Sequence, residues 1–191
     1  MTFSGVLLAG GDSRRMGRDK ATIEFEGRPL WERQLAVLRN LGLQNVFISA
    51  RTPPSWLPLD VELLLDDPPS RGPLSGLAKA LDTIRTTHLI ALAVDMPFQS
   101  DEQLARLVDS ATAGCGAVPM LGMHAEPLAA IYPREAASDF AAALSGSDFS
   151  LQRIVERLQA RGKICPVPIL EVNAPLYRSV NTAADLREFN A

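Results

Sequence analysis

Residues 6–20 read VLLAGGDSRRMGRDK, an apolar run that gives way to a loop rich in glycine and positive charge. Residues 5–8 predict a first, buried β-strand, and Gly10 and Gly11 allow the backbone behind it to bend sharply and approach a ligand closely. Backbone N–H groups exposed in such a loop form an anion-binding concavity. Four side chains add full positive charge there: Arg14, Arg15, Arg18 and Lys20. We therefore interpret the loop as a binding site for phosphate groups.

The spacing of the loop excludes the two commonest phosphate-binding motifs. A Walker A loop needs G-K-S or G-K-T after a first glycine, and the dinucleotide fingerprint needs G-x-G-x-x-G leading into a helix. Neither pattern occurs in this loop. The alternative to a phosphate site is a strand followed by a solvated basic turn, but the density of glycine and charge favours the phosphate site.

Residues 8–11, 15–17 and 19–20 resemble the signature loop L-A-G-G-x-x-x-R-M-G-x-(x)-D-K of the MobA-like nucleotidyltransferases. That family includes the molybdenum cofactor guanylyltransferases, together with cytidylyl and sugar-phosphate nucleotidyltransferases that carry looser versions of the loop. The resemblance implies that the triphosphate lies in the loop and that Arg15 and Lys20 face its phosphates. It implies nucleotide binding by Leu8, Ala9, Gly10, Gly11 and Lys20.

Length and composition set the broad class of the protein. A chain of 191 residues predicts a single domain spanning 1–191, and 22 acidic against 19 basic residues give no global positive field for nucleic acid. Cys115 and Cys165 are far apart in the sequence, offer no zinc-ligand spacing with the two histidines, and fit a reducing cytoplasm. The N-terminus shows no charged leader, and no apolar run approaches the roughly 18 residues of a membrane span. We expect a cytoplasmic protein without membrane or nucleic-acid partners.

Apolar runs alternate with amphipathic stretches along the whole chain, which predicts a three-layer αβα sandwich around a mostly parallel, doubly wound, Rossmann-like sheet. The expected strands are residues 5–8, 45–49, 61–65, 89–94, 116–120, 127–132 and 164–167. The expected helices begin at Pro29, Leu74, Ser100, residue 134, Ser150 and Thr182. Ser100 and Gln103 form a capping box, as do Thr182 and Asp185.

Ligands of such sheets bind beyond the carboxyl ends of the strands, where the strand order reverses. Asp95 follows a six-residue apolar run at such an end, and a carboxylate there is costly unless a cation meets it. Mg²⁺ bound to a nucleotide is a natural partner, since it takes one or two carboxylates plus phosphate oxygens. Capping of a turn or pairing with an arginine is the alternative. The segment 94–98 resembles the family's C-D-x-P-[FY] segment, which implies that Asp95 binds metal and triphosphate, with Val94 in place of the cysteine.

The segment 72–76 resembles the family's G-P-L-x-G segment. This resemblance implies that Gly72 and Gly76 bind the nucleotide. Asp66 then falls where the family has an aspartate near base and ribose, with Asp67 as the competing choice and turn formation before Pro68 as the alternative role. An aspartate accepts hydrogen bonds from guanine N1–H and its exocyclic amine. Ser49 stands where the family usually has asparagine, so the resemblance leaves the identity of the base open.

The acceptor side is implied by two weaker segments. Residues 126–132 resemble [EQ]-P-L-x-A-x-Y, which assigns Glu126, and residues 178–182 resemble the late F-x-N-[IV]-N-T, which assigns Asn181 and, with serine for asparagine, Ser179. Without the resemblance, the favoured interpretation of residues 181–182 is the N-cap of a helix. Of the two histidines, His88 is expected to be structural or exposed, and His124 lies in a loop that could face an acceptor.

Together these segments imply a molybdenum cofactor guanylyltransferase that joins GMP from GTP to molybdopterin-bound molybdenum and releases pyrophosphate. Mg²⁺ is the expected cofactor, bound by Asp95, and the catalytic residues are Arg15, Lys20 and Asp95. The acceptor phosphate is already anionic, so no protein base is required. Proteins that deliver or accept molybdopterin are possible partners, and the chain is expected to be a monomer or weak homo-oligomer.

Two rival functions remain from the sequence. One is a related nucleotidyltransferase that uses CTP or a sugar-phosphate acceptor, which the serines at 49 and 179 keep open. The other is a nucleotide-binding protein that has lost catalysis, against which the intact Arg15, Lys20 and Asp95 argue. The sequence also leaves open whether the proline-rich loop 52–60 closes over the site.

Overall fold

The computed structural model describes residues 1–10, 19–180 and 185. Its strands are β1 Phe3–Leu8, β2 Glu24–Phe25, β3 Arg28–Pro29, β4 Asn45–Ala50, β5 Glu62–Leu65, β6 His88–Ala93, β7 Gly116–Leu121, β8 His124–Ala125, β9 Ala129–Pro133 and β10 Ile164–Pro168. Its α-helices are α1 Leu30–Asn40, α2 Pro73–Thr83, α3 Asp101–Ser110, α4 Ala137–Leu144 and α5 Leu151–Ala160. Short 3-10 helices cover Lys20–Thr22, Arg134–Ala136 and Glu171–Tyr177.

The main sheet has the strand order β10-β7-β9-β6-β1-β4-β5, and β8 pairs with β7. Strands β6, β1, β4 and β5 are mutually parallel and β10 is parallel to β7, whereas β9 runs antiparallel to both neighbours. The chain moves from β1 out to β4 and β5 and then returns to β6 on the other side of β1. The strand order therefore reverses between β1 and β6, at the point where such sheets bind ligands.

Helices cover both faces of the sheet, which confirms the predicted three-layer architecture. Side chains of α2, α4 and α5 pack with one face, where Val6, Leu89 and Ala91 point inward. Side chains of α1 and α3 pack with the other face, together with Leu7 and Ile90. Alternate residues of β1 and β6 thus enter opposite cores, as expected for strands buried on both sides.

The boundaries of several elements differ from the prediction. Strand β6 covers His88–Ala93 rather than 89–94, and β9 begins at Ala129 rather than residue 127. Pro29 lies just before α1 in an extended conformation instead of in its first turn. Helix α4 is preceded by the 3-10 turn Arg134–Ala136, which the pattern of apolar residues did not reveal.

Other predictions about elements are confirmed, and some fall outside the described residues. The capping box of α3 is present, because Ser100 Oγ accepts from Gln103 N and Gln103 Oε1 accepts from Ser100 N. Ser150 occupies the N-cap position of α5 without a side-chain cap bond. The capping box at 182–185 and the helix behind it lie largely outside the described residues. Within the described part of the chain, no helix is long and apolar enough to cross a membrane.

Candidate functional site

A pocket lies at the carboxyl ends of β1, β4 and β6, where the strand order reverses. Its lining residues come from the predicted signature loop, the strand ends and the start of α2: Leu8, Ala9, Gly10, Asp19, Lys20, Ser49, Asp66, Gly72, Pro73, Ala93, Val94, Asp95 and Leu128. The structure thus brings together most of the residues predicted to bind a nucleotide. Gly11 and Arg15 of that prediction, with Arg14 and Arg18, lie outside the described residues.

Asp95 and Lys20 form the charged centre of this pocket. Lys20 Nζ lies 3.5 Å from Asp95 Oδ2, and both side chains are about four-fifths buried, with 19% and 22% exposed. Burial raises the pKa of the Asp95 carboxyl above its ordinary value, and the neighbouring Lys20 ammonium offsets part of that rise. The pair therefore holds a carboxylate and an ammonium at the pocket in a setting that penalises charge.

The backbone around Asp95 is fixed by contacts from two other parts of the chain. Val180 N donates to the Asp95 carbonyl at 2.7 Å, and Gln34 Nε2, from α1, donates to the Met96 carbonyl at 2.6 Å. Arg33 Nε donates to the next carbonyl, that of Pro97, at 2.9 Å. The segment behind β6 is therefore clamped, which pre-sets the direction of the Asp95 side chain.

Lys20 stands at the start of the 3-10 turn Lys20–Thr22, and Asp19 caps that turn. Asp19 Oδ1 accepts from Ala21 N at 3.0 Å, and Asp19 Oδ2 accepts from the indole N–H of Trp56 at 2.7 Å. Trp56 belongs to the proline-rich loop 52–60, so this loop reaches the site through its tryptophan. Sequence reasoning missed Trp56, although an isolated aromatic residue among prolines was a usable signal.

Asp66 also lines the pocket, directly after β5, and lies within a small hydrogen-bond network. Its Oδ2 accepts from Ser70 Oγ at 2.6 Å, and its Oδ1 accepts from Ser49 Oγ at 3.4 Å. Gly72 N in turn donates to Ser70 Oγ at 3.2 Å. Ser70 was not predicted from the sequence, and its place four residues after Asp66 was the only signal.

Asp67 has a different environment from Asp66. Its carboxylate is largely exposed and pairs with Lys79 Nζ at 3.2 Å, away from the residues that line the pocket. Of the two alternatives that the sequence left open, Asp66 is the one that the structure places at the pocket.

The two glycines of the segment 72–76 do different things. Gly72 lines the pocket and adopts φ 66°, a conformation that favours glycine, directly before α2. Gly76 is not among the lining residues, and a Cβ there would lie 2.3 Å from Ser49 Oγ. The assignment of Gly76 to the nucleotide is therefore indirect: Gly76 gives Ser49 the space to face the pocket.

Of the residues predicted to bind the acceptor, the described ones, Glu126 and Ser179, are not among the residues that line the pocket. Glu126 is half-buried, and burial raises its pKa, but Leu128 is the residue of that segment that lines the pocket. Tyr132 OH donates to the Pro127 carbonyl at 2.7 Å and so braces the segment from a buried position. Ser179 is exposed and directly precedes Val180, which bonds the Asp95 carbonyl. Asn181 lies outside the described residues.

The histidines take no part in the pocket lining. His88 is fully buried, with its ring nitrogens 2.9 Å from Thr87 Oγ1 and 3.0 Å from the Thr112 carbonyl, so it is structural. His124 is exposed on β8.

The pocket offers the carboxylate of Asp95 to a divalent cation. Among the described residues, no group of three or more His, Cys, Asp or Glu side chains could hold a metal ion by itself. Asp95 offers one carboxylate, which suits Mg²⁺ when substrate phosphates and water supply the other ligands.

Comparisons with known proteins identify relatives of this chain. The family model for the MobA-like NTP transferase domain matches residues 5–162. A probable molybdenum cofactor guanylyltransferase of Opitutus terrae is 37% identical over 172 residues, covering 88% of this chain and 85% of that protein. A molybdenum cofactor guanylyltransferase of Pseudomonas syringae pv. tomato is 32% identical over 191 residues, covering 97% and 92%.

Solved structures show the same fold. Molybdopterin-guanine dinucleotide biosynthesis protein A of Archaeoglobus fulgidus superposes with a TM-score of 0.77 at 24% identity, covering 98% of this chain and 96% of that one. A 4-diphosphocytidyl-2C-methyl-D-erythritol synthase of Anaerococcus prevotii superposes with a TM-score of 0.73 at 12% identity, covering 99% and 94%. With the family model matched over most of the sequence, this chain belongs to the MobA-like NTP transferase family of nucleotidyltransferases.

Proposed function

We propose that this protein is a molybdenum cofactor guanylyltransferase, which transfers GMP from GTP to molybdenum-bound molybdopterin and releases pyrophosphate. The observation that carries the proposal is the Lys20–Asp95 pair in a pocket lined by the family's signature loop. The relatives that share about a third of its residues over most of their length bear the same name. An enzyme with this activity takes part in molybdenum cofactor biosynthesis.

In the proposed complex, the triphosphate lies along the loop that begins at Gly10, with Lys20 and Arg15 facing its phosphates. The base lies toward Asp66, whose carboxylate oxygens accept hydrogen bonds and are already oriented by Ser49 and Ser70. A guanine offers two adjacent donors to such a carboxylate, its N1–H and its exocyclic amine. This match supports GTP as the nucleotide.

Mg²⁺ fits this pocket as an ion held by Asp95 and by phosphate oxygens, and when bound it supplies neutralisation of the triphosphate charge. Asp95 is about four-fifths buried and lies next to one ammonium, so its carboxylate is oriented before any ligand arrives. Lys20 balances that carboxylate in the free protein and adds positive charge beside the phosphates.

The bond changes need no proton acceptor from the protein. An oxygen of the acceptor's phosphate forms a bond to the α-phosphorus of GTP, and the bond from that phosphorus to the bridging oxygen breaks, so that pyrophosphate leaves. The attacking oxygen is anionic at neutral pH, which agrees with the lack of histidine among the described lining residues. The protein then acts by positioning the reactants and by stabilising charge.

The proposal also covers the residues that bind the acceptor and the location of the enzyme in the cell. Glu126, Ser179 and Asn181 are proposed to face molybdopterin, which lies beyond Leu128 in the pocket wall. We propose a cytoplasmic enzyme, a monomer or weak homo-oligomer, that exchanges molybdopterin with other proteins.

The decisive experiment measures pyrophosphate release from GTP with Mg²⁺ and molybdenum-loaded molybdopterin. We expect release that requires all three components and formation of the guanine dinucleotide of the acceptor. CTP in place of GTP tests the second candidate function, which Ser49 favours because its hydroxyl replaces the asparagine that the family usually carries. Faster release from CTP than from GTP would overturn the guanylyl assignment, and release with neither nucleotide would overturn transferase activity.

A further inference from the structure

The loop 52–60 lies outside every motif of the family resemblance, yet one of its side chains reaches the candidate site. Trp56 is half-buried, and its indole N–H donates to Asp19 Oδ2 at 2.7 Å. Its ring stacks on Trp31 of α1, with centroids 5.2 Å apart and planes inclined by 13°. Trp56 therefore joins the loop to α1 on one side and to the residue before Lys20 on the other.

Asp19 uses both carboxylate oxygens for this junction. One oxygen accepts from Ala21 N, which caps the 3-10 turn that Lys20 begins, and the other accepts from Trp56. A carboxylate fixed by two donors cannot rotate freely, and hydrogen bonds to a charged acceptor are stronger than neutral ones. The cap and the indole thus hold one another in place.

The turn itself has little intrinsic stability. It spans three residues, and short 3-10 segments have poorer hydrogen-bond geometry than α-helices. Its remaining bonds run from Thr22 N and Thr22 Oγ1 to the Asp19 carbonyl and from Ile23 N to the Lys20 carbonyl. The direction in which Lys20 leaves the turn therefore depends on how Asp19 is held.

We propose that Trp56 is a positioning residue of the nucleotidyl-transfer site: by binding Asp19, it fixes the turn that points the Lys20 ammonium at Asp95. This inference rests on the proposed function, because it assigns a consequence for transfer to the geometry of Lys20. The loop 52–60 acts through its indole and needs no contact of its own with the nucleotide.

Trp56→Phe tests the inference because it keeps an aromatic ring against Trp31 and removes only the N–H donor. Trp31→Phe is the matched control, since it changes the same stack and leaves the Trp56 donor intact. We expect Trp56→Phe to lower kcat for pyrophosphate release by about tenfold, since loss of preorganised charge stabilisation affects the transition state. The KM for GTP should change by less than about threefold, and Trp31→Phe should leave kcat within about twofold of the native value.

A double-mutant cycle with Lys20→Ala separates positioning from general structure. If Trp56 acts through Lys20, Trp56→Phe lowers kcat in the native background and has no further effect in the Lys20→Ala background. Equal effects of the two tryptophan variants, or a loss that persists without Lys20, would overturn the inference. Failure of the proposed function looks different, because then the native protein itself would release no pyrophosphate from GTP, or would release it faster from CTP.

Amide hydrogen exchange gives a second test that does not depend on activity. Trp56→Phe should speed exchange at Ala21 N, whose acceptor is the carboxylate that Trp56 holds, by about tenfold, as expected when a local opening becomes easier. Trp31→Phe should leave that amide near its native rate. An unchanged rate at Ala21 in Trp56→Phe would also overturn the inference.

Discussion

Asp95 combines two demands that oppose each other. The proposed function requires it to be ionised, so that it can hold a metal–nucleotide complex. Burial nevertheless raises its pKa, which means that its charge costs folding free energy. Lys20 offsets part of that cost at a distance of 3.5 Å. The Asp95 carboxylate therefore lowers the stability of the folded protein, while the proposed function depends on it.

Asp95→Asn should therefore raise stability while abolishing transfer. Because the folded-state pKa of Asp95 lies above its unfolded value of about 3.8, its unfavourable contribution is absent below the unfolded value. It develops as the pH rises from there toward the folded-state pKa and is fully present above it. We expect a Tm above that of the native protein at pH 7, by roughly 2–4 °C for each 1 kcal/mol relieved. The difference should shrink as the pH falls toward 4. A lower Tm for Asp95→Asn at pH 7 would contradict this account.

Lys20 gives the sharpest catalytic prediction. Lys20→Ala should lower kcat by about 10²-fold or more, as for the loss of one preorganised charge-stabilising donor. Lys79→Ala is the control, because Lys79 pairs with the exposed Asp67 away from the pocket and should leave pyrophosphate release unchanged. Arg15→Ala carries the same expectation as Lys20→Ala, although Arg15 lies outside the described residues. Near-native turnover by both Lys20→Ala and Arg15→Ala would rule out the assignment.

At the scale of elements, α2 and β4 meet at the pocket through Gly76. A Cβ at that position would meet Ser49 Oγ at 2.3 Å and the Leu8 side chain at 3.0 Å. The helix can approach the strand closely only because residue 76 has no side chain. That approach lets Ser49 donate to Asp66 from the strand below.

Gly76→Ala should destabilise the protein even though alanine is the better helix former. Overpacking of a filled core costs about 1–3 kcal/mol, against a gain of about 1 kcal/mol from helix propensity. The displaced Ser49 hydroxyl should also weaken GTP binding through Asp66. In a Ser49→Ala background the loss of Tm should be smaller, since the nearest atom is gone. Equal losses in both backgrounds would show that Ser49 is not the obstacle.

Tyr132 supports the segment proposed to face the acceptor in a comparable way. Its hydroxyl is buried with the side chain, which raises its pKa, and donates to the Pro127 carbonyl at 2.7 Å. Tyr132→Phe leaves that carbonyl without this donor, and we expect a loss of about 1–3 kcal/mol in the free energy of unfolding. Denaturant titration measures the loss. A variant as stable as the native protein would mean that the carbonyl finds another partner.

The sequence predicted the sheet and most of the pocket because those features have local signals. Apolar runs marked the strands, and glycines with charges marked the loop that follows β1. Trp56 was missed because its role depends on a tertiary contact with Asp19, 37 residues away. Ser70 lies only 4 residues from Asp66, but whether the two side chains meet depends on how the chain between them turns. The choice between Asp66 and Asp67 was likewise open, since adjacent residues differ only in which way the folded chain turns them.

At the scale of the whole molecule, ligand binding should be visible as stabilisation. A ligand at about 100 times its Kd stabilises the folded state by about 2.7 kcal/mol, which corresponds to roughly 5–10 °C for a chain of this size. We expect GTP with Mg²⁺ to produce such a shift in a thermal melt, CTP to produce a smaller one, and Lys20→Ala to reduce the shift with GTP. A larger shift with CTP would point to the cytidylyl alternative.

The stacked indoles have an optical consequence. Trp31 and Trp56 are the only tryptophans among the 191 residues, and they lie ring on ring beside Asp19. All tryptophan emission of the protein thus arises from one spot, next to the residue that precedes Lys20. Binding of a nucleotide at the proposed site can therefore be tested by the intrinsic tryptophan fluorescence of the native chain, without an attached dye.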